Sequence, residues 1–254
     1  MFADERKAKI AELLKKRPSV TTSELMELFQ VSVETIRRDL EALEGAGLLK
    51  RVHGGAISVG KLQNYTSLAG RSAEHQPEKQ QLARAACSFV REGDYIALDT
   101  GSTAHALAAL LDDHFRELTV LTHSLDIAWM LSGKTHIRVI LAGGFYLPRE
   151  KCFCGHLTLD AIRQFHVSGC FLTPAAVSPD SGISDHVQEL IPVQRALPEI
   201  SDQTYILADS SKFGVCAPMK ICEFDPDFVY ITDSGLSGGM LEACRNTSSN
   251  IVLV

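Results

Sequence analysis

Residues 97–111, ALDTGSTAHALAALL, run from an apolar strand pattern through Asp99-Thr100-Gly101-Ser102-Thr103 into an Ala- and Leu-rich helix. The stretch belongs to a longer alternation. YIALD (95–99), LTVLTH (118–123), IRVILAG (137–143), GCFLTPA (169–175), TYILAD (204–209), FVYIT (228–232) and IVLV (251–254) are short apolar runs separated by helical patterns. Such alternation predicts an α/β domain with a mainly parallel sheet flanked by helices.

Ligands of parallel sheets collect where loops leave the carboxyl ends of strands. At that place Gly101 lets the backbone approach an anion, Ser102 and Thr103 add hydroxyl donors, and the helix from about Ser102 points its free N–H groups at the site. The same residues also suit a plainer role, Ser102 capping the helix and Gly101 allowing the turn. Other strand ends supply compatible groups: Thr122, His123 and Ser124; Gly143 and Gly144; and Asp209, Ser210, Ser211 and Lys212. Lys212 is the strongest candidate for a point charge on a phosphate, an exposed loop lysine being the alternative.

The first 57 residues have a different pattern. From about Glu5 to Arg17, Ile10, Leu13 and Leu14 recur on one helical face, and Pro18 ends the segment. TTSELMELF (21–29) opens with a capping-box pattern, Thr21 with Glu24 three residues on, and repeats Leu25, Leu28 and Phe29. Ser32 is the predicted N-cap of VETIRRDLEALEGAG (33–47). There Ile36, Leu40 and Leu43 form one buried stripe, Glu34, Thr35, Arg37, Arg38 and Glu41 face outward, and Gly45 and Gly47 end the helix. Two short helices joined by a tight turn, the second with early arginines, make a helix-turn-helix pattern. An arginine there either pairs with guanine or grips phosphate. GLLKRVHGGAIS (47–58) alternates like a strand, carries Lys50, Arg51 and His53, and turns at Gly54-Gly55 as a β-wing does. A three-helix scaffold with a solvated charged face is the other reading of the periodicity.

Charge supports the division. Residues 1–57 hold ten Lys/Arg and nine Asp/Glu, so the overall −6 hides a slightly basic N-terminal module beside an acidic remainder. Residues 58–78 are polar and aperiodic, with Gly60, Gly70 and Pro77, and read as a linker. The expected domains are therefore 1–57 for DNA binding, 58–78 for the connection, and 79–254 for effector sensing and oligomerisation, with a helix over about 79–90. The seven cysteines are scattered, with no C-x-x-C, and read as reduced thiols. Nine histidines form neither H-x-H nor H-x-x-x-H, so no metal is expected. With no long apolar run and a charged amphipathic start, the chain is expected to be cytoplasmic, without a membrane partner.

VSVETIRRDLEALEGAGLLKRVHGGA (31–56) closely resembles the signature of DeoR-type bacterial transcriptional regulators, whose winged helix-turn-helix precedes a sensor domain. The resemblance implies operator contacts at Ser32, Glu34, Thr35, Arg37 and Arg38, with Arg51, His53 and Gly54 in the wing. DTGST, THSL, LAGG and LADSSKFG extend it to nearly the whole chain, and the sensor domain of these regulators is similar in fold to ribose-5-phosphate isomerase and glucosamine-6-phosphate deaminase. By that similarity Asp99, Gly101, Ser102, Thr103, His123, Ser124, Gly143, Asp209 and Lys212 line a sugar-phosphate site, with Gly155 in an adjoining loop. The chain departs from the family pattern in three places. FLTPAAVSP stands where the family reads FLGADGID, His123 where it has the Asn of TNSL, and Gln194 where it has the Lys of VKRA. Pro192 is expected to interrupt that last helix.

Isomerisation needs paired acids in one pocket. The strand end that related isomerases furnish with an acid holds Ala175 and Ala176, while Asp180 and Asp185 have no evident partner in sequence. The expectation is a repressor of a carbohydrate operon, non-catalytic and without cofactor, controlled by a phosphorylated sugar or related metabolite. A sugar-phosphate isomerase or deaminase with an accessory DNA-binding domain is the alternative. One recognition helix reads few bases, so a homodimer or homotetramer on repeated half-sites is expected.

Overall fold

The computed structural model describes residues 3–16, 19–46, 48–52, 54–58, 65–247 and 250–254. In the first module α1 (Ala3–Lys16), β1 (Ser19–Thr21), α2 (Thr22–Phe29) and α3 (Val33–Gly45) are followed by β2 (Leu49–Val52) and β3 (Gly55–Ser58). The strands pair antiparallel in the order β1-β3-β2. Side chains start both later helices as predicted: Thr21 accepts from the Glu24 N–H at 3.1 Å, and Ser32 from the Thr35 N–H at 3.3 Å. Ile36, Leu40 and Leu43 close over Ile10, Leu14, Val20, Leu25, Leu49 and Ala56 in one apolar core. Gly55 allows the sheet to form, since a Cβ there would lie 2.2 Å from the Val20 carbonyl oxygen. Periodicity did not reveal one further tie: Arg6 of α1 donates to both carboxylate oxygens of Asp39 of α3, at 2.5 and 3.1 Å, and both residues are buried. Pro18, Gly47 and His53 lie outside the described residues.

The stretch 58–78, read as an aperiodic linker, contains helix. α4 (Leu68–Ala73) lies within it and α5 (Gln76–Cys87) begins in it, so the helix expected over 79–90 starts and ends three residues earlier. A six-residue helix with one buried apolar residue, Leu68, shows no period. The local signals are Ser67, which caps α4 by accepting from the Gly70 N–H at 3.4 Å, and Pro77 in the first turn of α5, where its missing donor is not needed.

The larger part begins with β4 (Tyr95–Leu98), α6 (Ser102–His114), β5 (Leu118–Thr122), α7 (Leu125–Leu131) and β6 (Ile137–Leu141). A hairpin of β7 (Phe145–Leu147) and β8 (Cys152–Cys154) leads to α8 (His156–Ile162) and β9 (Val167–Leu172). β10 (Ala176–Ser178), β11 (Gly182–Asp185), α9 (Ile191–Glu199) and β12 (Ser201–Leu207) follow. A 3-10 turn (Ser210–Lys212), β13 (Met219–Cys222), β14 (Val229–Thr232), α10 (Gly238–Asn246) and β15 (Asn250–Leu253) complete the chain. The seven apolar runs of the sequence form one parallel sheet in the order β15-β14-β12-β9-β4-β5-β6, while β10, β11 and β13 make a small antiparallel sheet.

Both faces of the large sheet are covered, which is why its strands are apolar without polar alternation. Ile96, Leu98, Phe171, Leu207 and Ile231 pack with α5, α6 and α7. Ala97, Cys170, Leu172, Ile206 and Tyr230 pack with α8, α9 and α10. From β4 the chain steps one way to β5 and β6, then returns to β9 on the other side of β4 and steps away through β12, β14 and β15. The winding reverses between β4 and β9, and the crevice at the carboxyl ends there is the natural ligand position of such a sheet. None of the seven cysteines, all of them among the described residues, is in a disulfide, and no helix among the described residues is long and apolar enough to cross a membrane.

Candidate functional site

The loops leaving β4, β9 and β12, three adjacent strands, meet at this switch point around a cavity of about 210 Å³. Gly101, Ser102 and Thr103 come from the first loop, Thr173, Pro174 and Ala175 from the second, and Asp209, Ser211 and Lys212 from the third. Arg71, Glu74, His75 and Lys79 enter from α4 and α5, and Asp185, His186 and Gln194 from β11 to α9. Gly101, at φ +125°, precedes the first turn of α6, whose free N–H groups open on this cavity.

Cations are concentrated here. Lys212 Nζ donates to the Pro174 carbonyl at 3.0 Å, and Lys79 Nζ donates to the carbonyls of Glu74, at 2.6 Å, and Arg71. Burial first, then the neighbouring charge of Lys212, holds Lys79 below the ordinary lysine pKa. Burial does the same to Lys212, with Asp209 opposing and Arg71 adding to the effect. Among the described residues, six buried side-chain polar atoms have no hydrogen-bond partner. Four of them line this one cavity: Arg71 Nε, Thr103 Oγ1, His186 Nε2 and Gln194 Oε1. A folded chain rarely leaves such atoms unpaired, so their convergence marks a place built to bind something polar.

Of the residues anticipated from sequence, Gly101, Ser102, Thr103, Asp209 and Lys212 line the cavity together. Asp99, His123, Ser124, Gly143 and Gly155 do not, because each is committed elsewhere. Asp99 is fully buried and accepts from the N–H groups of Thr100 at 2.8 Å and Thr173 at 3.1 Å. His123, also fully buried, donates from Nε2 to Asp99 Oδ1 at 3.2 Å and from Nδ1 to the Phe153 carbonyl at 2.8 Å. Two acceptors on one imidazole require both nitrogens protonated. Burial alone would lower its pKa, but hydrogen bonds to Asp99 and Cys152 outweigh it and raise the value to about 10. Ser124 caps α7 by accepting from the Ile127 N–H at 3.4 Å. The Gly143 carbonyl accepts from Thr158 Oγ1 at 3.1 Å, and Gly155, at φ +91°, turns the chain into α8 against the Phe145 ring.

Several lining residues escaped the sequence reading. Arg71 and Lys79 lie in or beside the stretch read as linker. Arg71 is ion-paired with the buried Glu150, whose other oxygen accepts from the Tyr65 hydroxyl at 2.6 Å. Asp185, partnerless in sequence, accepts from the His186 N–H at 2.6 Å and from Gln194 Nε2 at 3.2 Å. Pro192 does not break its helix: it occupies the first turn of α9, where no donor is required.

In the first module the exposed face of α3 carries Glu34, Arg37, Arg38 and Glu41. Glu34 sits 3.9 Å from Arg37, the Ser32 and Thr35 hydroxyls share a hydrogen bond of 3.0 Å, and Arg38 makes no ion pair with any described residue. Arg51 of β2 is anchored through its N–H to Glu44 at 2.7 Å, and its guanidinium lies 3.8 Å from Glu41. Gly54 turns the hairpin at φ +86°. No group of three or more His, Cys, Asp or Glu among the described residues is placed to hold a metal ion.

Comparison with known proteins adds context to both parts. Residues 6–61 match the DeoR-like helix-turn-helix domain, and residues 74–234 match the DeoR C terminal sensor domain. The HTH-type transcriptional regulator YulB of Bacillus subtilis (strain 168) is 36% identical over 254 residues, covering 100% of this chain and 98% of that protein. The glycerol-3-phosphate regulon repressor of Escherichia coli (strain K12) is 35% identical over 214 residues, 84% of each chain. Among solved structures, ribose 5-phosphate isomerase A of Methanocaldococcus jannaschii is similar over 53% of each chain, with 16% identity and a TM-score of 0.39.

Proposed function

This chain belongs to the DeoR family of transcriptional regulators, and from that premise we propose that it represses a carbohydrate-metabolism operon and is released by a phosphorylated sugar or related metabolite. The single observation that carries the ligand reading is the cavity where Arg71, Lys79, Lys212 and the first turn of α6 converge with four unpartnered buried polar atoms. Besides burial, Lys212 and Arg71 hold the Lys79 pKa down and Arg71 holds that of Lys212 down, a crowding that a bound dianion relieves. The name of the glycerol-3-phosphate regulon repressor, a relative at 35% identity, supports a phosphate ester.

Operator contacts come from Ser32, Glu34, Thr35, Arg37 and Arg38 on α3 and from the wing, with residues 1–57 as the DNA reader and the parallel α/β part as sensor. The protein works as a homo-oligomer on repeated half-sites, because one α3 reaches too few base pairs for useful specificity. The cavity carboxylates support binding without turnover. Of the four that line it, Glu150 is held by Arg71 and Tyr65, Asp185 by Gln194 and two backbone N–H groups, and Asp209 by Ser211, which leaves the exposed Glu74 without such ties and no pair of free acids to share a proton transfer.

Two variants test the division of labour on a labelled fragment of the upstream region. Arg38→Ala is expected to weaken operator binding by about 1–3 kcal/mol while a sugar phosphate still raises the melting temperature. Lys212→Ala is expected to bind the operator normally and to lose release by that compound. An undiminished release by Lys212→Ala, or turnover of the sugar phosphate by the wild-type protein, overturns the reading.

A further inference from the structure

Gln194 of α9 is 1% exposed, and its amide is fixed by two carboxylates. Nε2 donates to Asp99 Oδ2 at 3.3 Å and to Asp185 Oδ2 at 3.2 Å. A carboxylate accepts and an amide nitrogen has two hydrogens, so both donors are spent and the orientation is settled. What the residue offers the cavity is Oε1, a buried acceptor with no protein partner. His186, which lines the same cavity, has Nε2 likewise buried and unpartnered, on an imidazole that burial holds below its ordinary pKa.

We propose that Gln194 is the specificity-determining residue of the cavity, its Oε1 taking a hydroxyl hydrogen from the ligand, so that the protein accepts phosphate esters of neutral polyols and sugars and rejects the corresponding phosphorylated sugar acids. This rests on the phosphate-ester reading above and narrows it. A ligand hydroxyl placed at Oε1 pairs an acceptor that is otherwise buried unsatisfied. A ligand carboxylate there meets an oxygen that cannot donate, backed by Asp99 and Asp185, whose negative charges no freed N–H screens. An unpaired buried acceptor and a buried like-charge contact both penalise the acid, so the discrimination exceeds what shape alone gives.

The experiment uses the full chain and probes that differ only in CH2OH against COO⁻: glycerol 3-phosphate with 3-phosphoglycerate, and sorbitol 6-phosphate with 6-phosphogluconate, each measured by calorimetric titration beside inorganic phosphate. At least one alcohol is expected to bind about tenfold or more tighter than both its acid partner and inorganic phosphate, a tenfold ratio being 1.4 kcal/mol. In Gln194→Lys the ammonium keeps donors for both carboxylates, so the fold is retained, but the acceptor is gone and a positive charge replaces it. The alcohol-over-acid ratio then falls below about threefold or inverts. Equal binding of alcohol and acid by the wild-type protein, alcohols no tighter than inorganic phosphate, or an unchanged ratio in Gln194→Lys each overturns the role of Gln194 and leaves the phosphate site standing. Failure of inorganic phosphate and every ester to bind overturns the phosphate reading itself.

Discussion

At Asp99 four donors converge: the N–H groups of Thr100 and Thr173, Nε2 of His123 and Nε2 of Gln194. A buried carboxylate is tolerated when its oxygens are filled and its charge is met. His123 meets it, as the geometry of its two acceptors requires. Two of the three departures of this chain from the DeoR pattern thus meet on one carboxylate: Gln194 brings Asp99 an uncharged donor, and His123 brings it a positive charge. Because the folded pKa of His123 is raised to about 10, its contribution to stability is complete below its ordinary value of 6.5 and is lost as pH rises through about 10. His123→Asn is expected to cost about 3 kcal/mol at neutral pH, since it leaves the carboxylate without its cation. Urea midpoints from pH 6 to 10 should fall in the wild-type protein relative to the variant, the two curves drawing together at the alkaline end. Parallel curves would remove the imidazolium from the account.

At the scale of elements, the glycine of the wing makes the sharpest prediction. Gly55→Ala sets a methyl group against the Val20 carbonyl at 2.2 Å, so β1 must leave β3 or the hairpin must shift. Overpacking of this kind costs about 1–3 kcal/mol. Operator affinity should drop with it, while stabilisation of the sensor part by a sugar phosphate is unchanged; loss of both would mean that the two parts do not fold separately. The seven strands and the two capped helices were legible in the sequence because each follows a local rule: strands buried on both faces read as apolar runs, and Thr21 and Ser32 begin helices that keep a period. α4 was not legible. Its six residues turn too few times to show a period, and Arg71, its functional side chain, is fixed by Glu150, 79 residues away in sequence. The same limit applies at the cavity. Gly101, Ser102, Thr103, Asp209 and Lys212 sit at strand ends, which the sequence marks, whereas His123 and Asp99 follow those same ends but turn inward to each other.

Across the whole molecule, repression and release have to be joined by free energy. The ligand acts only through a difference in its affinity for DNA-competent and DNA-incompetent states, and that difference is shared by both partners. Arg71 makes the connection concrete, since it lies on the helix between the two matched domains, lines the cavity and is tied to Glu150 together with Tyr65. An anion that draws on the Arg71 guanidinium competes with Glu150 for it, and so works on the segment that leads to the DNA reader. If a sugar phosphate weakens operator binding by some factor, saturating operator must weaken sugar-phosphate binding by the same factor. Both sides are measurable on one preparation, by operator titration with and without the compound and by calorimetric titration of the compound with and without operator. Equal factors of about 5- to 150-fold are expected, the usual range for coupled sites. The Tyr65→Phe variant, which lets go of Glu150 without touching the cavity cations, should shrink both factors together. A compound that binds in the cavity and leaves operator affinity unchanged, with operator reciprocally indifferent to it, would make the cavity a binding site without a regulatory role.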